Sequence, residues 1–280
     1  MRKIKASQIS ELVEDLCIEA CCVLTDDIKS SFKSSLQTEQ SPLGKEVLET
    51  LLKNAEIAKE ERSPICQDTG MTVVFVTMGQ DVHIIDGFIE DAINEGVRNG
   101  YKKGYLRMSV VNDPIERVNT SDNTPAIIHY EVVSGTDFNI VVAPKGFGSE
   151  NKSDLKMLTP SDGVEGIKKF VLDTISSAGG NPCPPIIVGV GIGGTMERAA
   201  YLSKKSLLNP VDYVNENKTL AALENELLEE INKLGIGPAG FGGTTTALKV
   251  NILTNATHIA GLPVSVNIGC HATRHAEGKL

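Results

Sequence analysis

Three cysteines stand in tight settings of glycine, proline and polar residues: Pro64-Ile65-Cys66-Gln67-Asp68-Thr69-Gly70, Gly179-Gly180-Asn181-Pro182-Cys183-Pro184-Pro185 and Asn267-Ile268-Gly269-Cys270-His271. Thiolates favour soft metals and iron-sulfur clusters. Three of them on one 4Fe-4S cluster would leave one iron without a protein ligand, open to water or substrate. An open iron is a Lewis acid as well as an electron carrier. The other three cysteines read differently. Cys17, Cys21 and Cys22 fall in a segment whose apolar residues recur at helical spacing, where a free cysteine behaves as a small core hydrophobe.

The polar neighbours suggest what an open iron would act on. Gln67 and Asp68 adjoin Cys66, so ligation there would hold an amide and a carboxylate close to the metal, although strand alternation could turn one of them away. Arg107 offers the planar fork that grips carboxylates, against the blander reading of a surface ion pair that composition favours. Pro144 to Lys152 offers lysines and open amides in a glycine-kinked loop. His258, between two strand-like stretches, could orient a carboxylate or relay a proton, although a lone histidine is more often a packed side chain. His271 is the weaker candidate.

Gly189-Val190-Gly191-Ile192-Gly193-Gly194 fits the glycine fingerprint of a dinucleotide-binding turn, placed after a strand and before a helix. The unit does not continue as that fold requires, because Asn209-Pro210 breaks it and no second strand carries Asp212. Close backbone packing is the plain alternative. A third reading aims the amides of the helix start at an anionic substrate or at cluster sulfides.

Positioning these residues requires elements that the pattern supplies. Residues 7 to 60 read as helical, with Ser7 and Ser10 as caps and a second stretch from Pro42 to Lys59. Strands are expected at Met71–Met78, Ala126–Val133, Phe138–Ala143 and Pro185–Val190, with two more around Asn255–Gly261. Ser134-Gly135-Thr136-Asp137 predicts an antiparallel hairpin. Helices are expected over Gly87–Gly100, Ser161–Ala178, Thr195–Leu208 and Leu220–Leu234. The fold class is therefore α+β: a helical N-terminal region, then a mixed, partly antiparallel sheet with packed helices. No repeat or linker forces a cut, so residues 1–280 are expected to form one domain, with a weak boundary near residue 60.

Composition narrows the partners. With 41% hydrophobic and 22% charged residues the chain can bury a substantial core. A net charge of -9 argues against a nucleic-acid or anionic-membrane binder. The N-terminus has no apolar run of signal-peptide length and no stretch approaches a membrane span, so a cytoplasmic location is expected. In that reducing compartment six cysteines point to thiols or metal ligands rather than disulfides.

Four composite motifs then converge: Ile65 to Gly70, Pro144 to Asn151, Asn181 to Pro185, and His258 to Asn267. Through them nearly the whole chain resembles the alpha chain of the two-subunit iron-sulfur hydro-lyases, the class I fumarase and L-tartrate dehydratase family. Phe147 stands where many relatives have a third glycine. The resemblance implies that Cys66, Cys183 and Cys270 bind a 4Fe-4S cluster whose fourth iron takes substrate oxygens. It also implies substrate contact by Gln67, Asp68, Arg107 and Gly148, with the rest of the pocket supplied by a beta subunit in a hetero-oligomer. Reversible hydration of fumarate to L-malate is the expected activity, with Asp68 and His258 as acid-base candidates and L-tartrate dehydration as the alternative. A non-catalytic electron-transfer subunit is the rival from another class; it would need a fourth cluster ligand and no substrate anchors.

Overall fold

The computed structural model describes residues 1–280. In chain order the first elements are β1 (Arg2–Lys5), α1 (Ala6–Cys22), α2 (Asp26–Thr38), α3 (Pro42–Glu61), β2 (Met71–Gly79), β3 (Val82–Ile85), α4 (Ile89–Lys103), β4 (Ile127–Val133) and β5 (Phe138–Lys145). A helical turn α5 (Phe147–Glu150) leads into β6 (Asp154–Leu158), α6 (Gly163–Ala178), β7 (Ile186–Gly193), α7 (Met196–Ser206), α8 (Lys218–Lys233), β8 (Ala247–Asn255), β9 (Leu262–Gly269) and β10 (Ala276–Lys279). This is a mixed α+β chain. It divides into two compact units, the first comprising Met1–Thr25, Asn54–Phe147 and Arg274–Leu280, the second Asp26–Lys53 and Gly148–Thr273. No helix is long and apolar enough to cross a membrane.

The first unit is built on a four-stranded sheet of order β10-β5-β2-β4. Helices α1 and α4 cover it, burying Ile9, Val13, Leu16 and Cys17 from one helix and Ile93, Val97 and Tyr101 from the other against Val74, Val76, Ile140 and Val142. The helices meet closely because α4 presents glycine: a Cβ on Gly96 would lie 2.5 Å from the Ser10 carbonyl oxygen, and one on Gly100 would lie 2.9 Å from the Cys17 Cβ. Cys17 is thus a packing residue. The start of α1 is set by Gln8, whose Oε1 accepts the Lys5 amide at 3.0 Å, so Ser7 and Ser10 lie inside the helix rather than capping it.

β4 and β5 run in opposite directions, as the turn between them predicts, yet they do not pair. β2 lies between them, parallel to β4 and antiparallel to β5. Burial explains the order: most of β2 is buried and suits the interior of a sheet, whereas β4 exposes Ile127, Tyr130 and Val132 and suits an edge. The 134–137 turn bridges the end of β2 because Gly79 has no side chain; a Cβ there would lie 2.3 Å from the Gly135 carbonyl oxygen.

The second unit has a four-stranded sheet of order β6-β9-β7-β8. β7 is buried at every position and runs parallel to β8 and antiparallel to β9. Its glycines serve packing. A Cβ on Gly189 would lie 2.1 Å from the Ser203 carbonyl oxygen, and one on Gly191 would lie 2.1 Å from that of Ala199, so α7 rests directly on the strand. Leu223, Leu227 and Ile231 of α8, with Phe170, Val171 and Ile175 of α6, complete this core.

Candidate active site

In the first unit the Cys66 loop leaves α3 and enters β2, and almost every turn of it is fastened. The Ile65 amide donates to the Cys21 carbonyl at 2.9 Å, and Asn54 Nδ2 donates to the Ile65 carbonyl at 2.9 Å. The buried Tyr101 hydroxyl donates to the Thr69 and Gly70 carbonyls at 2.8 and 3.1 Å. Gly70 takes φ +77°, and a Cβ there would lie 2.6 Å from the backbone of Lys145, so the site tolerates only glycine. Cys66 emerges half-buried beside Gln67, whose Oε1 lies 3.5 Å from its Sγ.

Asp68 is held by both carboxylate oxygens. Oδ1 accepts the Gly70 amide at 3.0 Å and Oδ2 accepts the Phe147 amide at 2.9 Å, which leaves a second lone pair on each oxygen. Thr69 brings in the cation: its hydroxyl accepts the Arg107 amide at 2.9 Å and donates to the Arg107 carbonyl at 3.1 Å. Gln67, Asp68 and Arg107 are therefore neighbours in one unit. The surface ion pair that composition favours for Arg107 does not form; its side chain is exposed.

Cys183 and Cys270 belong to the second unit and stand at one end of its sheet. α6 ends at Gly179 with φ +55°, and a tight turn closed by the Cys183 amide on the Gly180 carbonyl at 3.1 Å delivers Cys183 just before β7. Cys270 follows β9 directly, whose Gly269 is in register with Ile187 of β7. The His271 amide donates to the Cys183 carbonyl at 3.1 Å, tying the two cysteine loops together. Cys183 itself has φ +57°, a left-handed conformation that a non-glycine residue seldom adopts and that concentrates at functional sites. On its other flank, the Ala239 amide donates to the Pro184 carbonyl at 2.8 Å, and Gly180 abuts Gly240, where a Cβ on Gly240 would lie 2.8 Å from the Gly180 Cα. Gly148, exposed at the start of the second unit, faces the Asn181 carbonyl, which would lie 3.7 Å from a Cβ placed on it.

His258 is elsewhere. It follows β8 and precedes β9, at the end of the sheet opposite to Cys183 and Cys270, and the eight residues of β7 separate those ends by roughly 25 Å. There it lines a groove of about 640 Å³ with Thr195, Arg198, Tyr201 and Asn255, and its Nδ1 accepts the Ala260 amide at 3.2 Å. The N-terminus of α7 opens at this same end, so its amides cannot serve a cluster held by Cys183 and Cys270; that reading of the glycine turn is corrected by the strand direction.

No group of three His, Cys, Asp or Glu side chains converges as ligands of a single metal ion would. Cysteines on separate irons of a cluster stand further apart than ligands on one ion, and the chemistry of the donors decides which of them can ligate. None of the six cysteines forms a disulfide. Cys66, Cys183 and Cys270 are the three with solvent access, whereas Cys17, Cys21 and Cys22 are fully buried. Burial pushes the Cys21 thiol up to about 12 and raises Cys17 well above its ordinary value, which disfavours the thiolate that ligation needs. As single donors, the three accessible thiols have the chemistry that cluster ligation needs, and the three buried ones do not.

Sequence reasoning passed over two residues that build this site. Thr69 could have been suspected as a polar side chain entering an apolar strand, but the burial of Arg274, whose guanidinium Nη2 donates to the Asp68 carbonyl, left no local signal.

Residues 10–279 match the family model described as fumarate hydratase (Fumerase). The chain belongs to that family. Among curated relatives of this fumarase-family chain, a Methanocaldococcus jannaschii protein provisionally named L(+)-tartrate dehydratase subunit alpha is 44% identical over 279 residues, covering 98% of each chain. The L(+)-tartrate dehydratase subunit alpha of Escherichia coli strain K12 is 34% identical over 278 residues, covering 98% of this chain and 90% of the relative. The same values hold for the subunit of strain UTI89.

Proposed function

We propose that this chain is the alpha subunit of an iron-sulfur hydro-lyase that hydrates fumarate reversibly to L-malate in the cytoplasm, acting with a beta subunit that completes the pocket. The observation that carries the reading is the fastened Cys66-Gln67-Asp68 segment with Arg107 beside it, in a chain whose family match runs almost end to end. Cys66, Cys183 and Cys270 would hold a 4Fe-4S cluster, residues 1–280 acting as one functional domain. When bound, the cluster supplies an iron without a protein ligand, which acts as a Lewis acid.

The chain's own residues would contribute binding and proton transfer. The Arg107 guanidinium grips a substrate carboxylate through two parallel hydrogen bonds, and its backbone, pinned by Thr69, fixes where that carboxylate sits. The Gln67 amide and the main chain at Gly148 add polar contacts that orient the substrate. Asp68 takes the proton from the carbon beside the hydroxyl-bearing one in dehydration and returns it in hydration. Its two amide bonds hold the carboxylate in one orientation while leaving a lone pair for the proton. His258 is proposed to take part in proton transfer only in the assembled enzyme, where another chain would meet its groove; normal turnover of His258→Asn removes it from that role.

A second reading, dehydration of L-tartrate, is favoured by the names of the relatives. Both substrates are four-carbon dicarboxylates, and this chain would supply only part of the pocket. Anaerobic reconstitution with the beta chain, followed by assays on fumarate, L-malate and both tartrate enantiomers, separates the readings. Reversible redox cycling with no turnover of any of these acids would instead indicate an electron-transfer subunit.

A further inference from the structure

We propose that Arg274 is a positioning residue for the Asp68 segment, its buried guanidinium fixing the direction in which the Asp68 carboxylate points. This rests on the role given to Asp68 above. Arg274 is only 4% exposed, and its Nη2 donates to the Asp68 main-chain carbonyl. Guanidinium and carboxylate border the same small space under Gly146: a Cβ there would lie 3.2 Å from Asp68 Oδ2 and 3.7 Å from Arg274 Nη2. The cation is permanent, because arginine does not deprotonate in a protein.

Its surroundings explain why the position is occupied at all. Burying a charge is costly unless hydrogen bonds compensate, and an apolar side chain would fill the volume without that cost. The charge lies beside the layer that carries the loop. Burial dominates the raised thiol of Cys21, and Arg274 is the chief influence opposing it; the same guanidinium also acts on the buried Tyr101 hydroxyl. Cys21 and Tyr101 are among the residues that hold Thr69 and Gly70, so Arg274 supports the loop where Gln67-Asp68 turns into β2. It follows Cys270 by four residues, so a segment that begins with one proposed cluster ligand ends by anchoring the loop of another.

The test compares Arg274→Met, which keeps volume and removes charge, with Arg274→Lys, which keeps charge and shortens the fork, in enzyme assembled anaerobically with its partner; Asp68→Asn is the control. Supporting groups of this kind change activity by roughly 10–100-fold, so Arg274→Met should lower kcat on that scale with iron and sulfide content retained. KM should move by less than about threefold, because substrate binding is not what is lost. Arg274→Lys should recover part of the turnover. Independently of activity, hydrogen exchange in the cluster-free chain should quicken at the amides of Gly70 and Phe147, which donate to Asp68, and stay unchanged inside β2. Turnover of Arg274→Met within about twofold of the parent, with Asp68→Asn inactive, overturns the proposal. So does unchanged exchange at those two amides. An active Asp68→Asn strikes the functional reading instead, and the exchange result then decides the positioning role alone. If Arg274→Met does not fold, Arg274→Lys carries the test; if both lose protection throughout the β2–β5 pair, the residue is only structural and the proposal fails.

Discussion

Replacing Glu39 with glutamine should weaken the scaffold behind Cys183, and the effect should fade in acid. Glu39 follows α2 and is 2% exposed. Its Oε1 accepts the amides of Gln40, Ser41 and Thr244 at 2.8 to 2.9 Å, and its Oε2 accepts those of Thr244 and Thr245 at 3.0 and 2.8 Å. Burial alone would raise this carboxyl, but the amides of Ser41, Thr244 and Thr245 outweigh it and bring it from 4.5 to about 2. That drop corresponds to ~3 kcal/mol of preference for the anion at full strength. Glutamine cannot replace it, because either orientation turns an NH2 group toward donors. Gly243, where a Cβ would lie 2.6 Å from Oε1, closes the acid in from the other side. A folded-state value below the unfolded one contributes stability above about 4.5 that is lost as pH falls toward 2. Denaturant unfolding of parent and Glu39→Gln between pH 7 and 2.5 should therefore show a cost of ~2–3 kcal/mol near neutrality that shrinks steadily below pH 4.5. A cost that is the same across that range would show that the Glu39 anion is not what holds these amides, as would one below about 0.5 kcal/mol at pH 7.

Serine at Cys66, Cys183 or Cys270 should abolish or destabilise the anaerobically assembled cluster, whereas serine at Cys17, Cys21 or Cys22 should leave iron and sulfide content intact; metal and sulfide analysis checks both. Arg107→Met should raise KM for a dicarboxylate by roughly 10–100-fold, the value of one charged two-point contact, as steady-state kinetics would show. Gly191→Ala should lower the denaturant midpoint by an amount worth about 1–3 kcal/mol or more, because its methyl group meets the Ala199 carbonyl of α7. Activity should also be lost in air, since an iron that substrate can reach is one that oxidants can reach.

Much of this architecture was legible because its signals are local. The apolar runs of β2 and β7 and the periodicity of α6, α7 and α8 lie within single segments, and the structure keeps them nearly at the expected positions. What failed was adjacency. The 134–137 turn marks a reversal, but only the burial of β2 decides that a third strand separates β4 from β5. The short strands β1, β3, β6 and β10 owe their form to partners distant in sequence, as when β10 pairs with β5, and four or five residues carry little pattern of their own. The site shows the same division. Cys66, Gln67 and Asp68 could be read together because they are adjacent, and Arg107 could be suspected from its chemistry. Thr69, which joins them, and Arg274, which braces them, act through burial and long-range contacts that no local pattern encodes. His258 looked like a neighbour of Cys270 because only a strand separates them, yet that strand carries it to the opposite end of the sheet.

On the proposed function, three thiolates of this chain hold a cluster with one iron left for substrate. Mössbauer spectroscopy of enzyme loaded with isotopically enriched iron, assembled anaerobically with its partner and recorded with and without a four-carbon dicarboxylate, tests it directly. One iron in four should change its signal when the dicarboxylate is added, while the other three keep theirs. Four irons that stay unchanged in the presence of saturating dicarboxylate would contradict it.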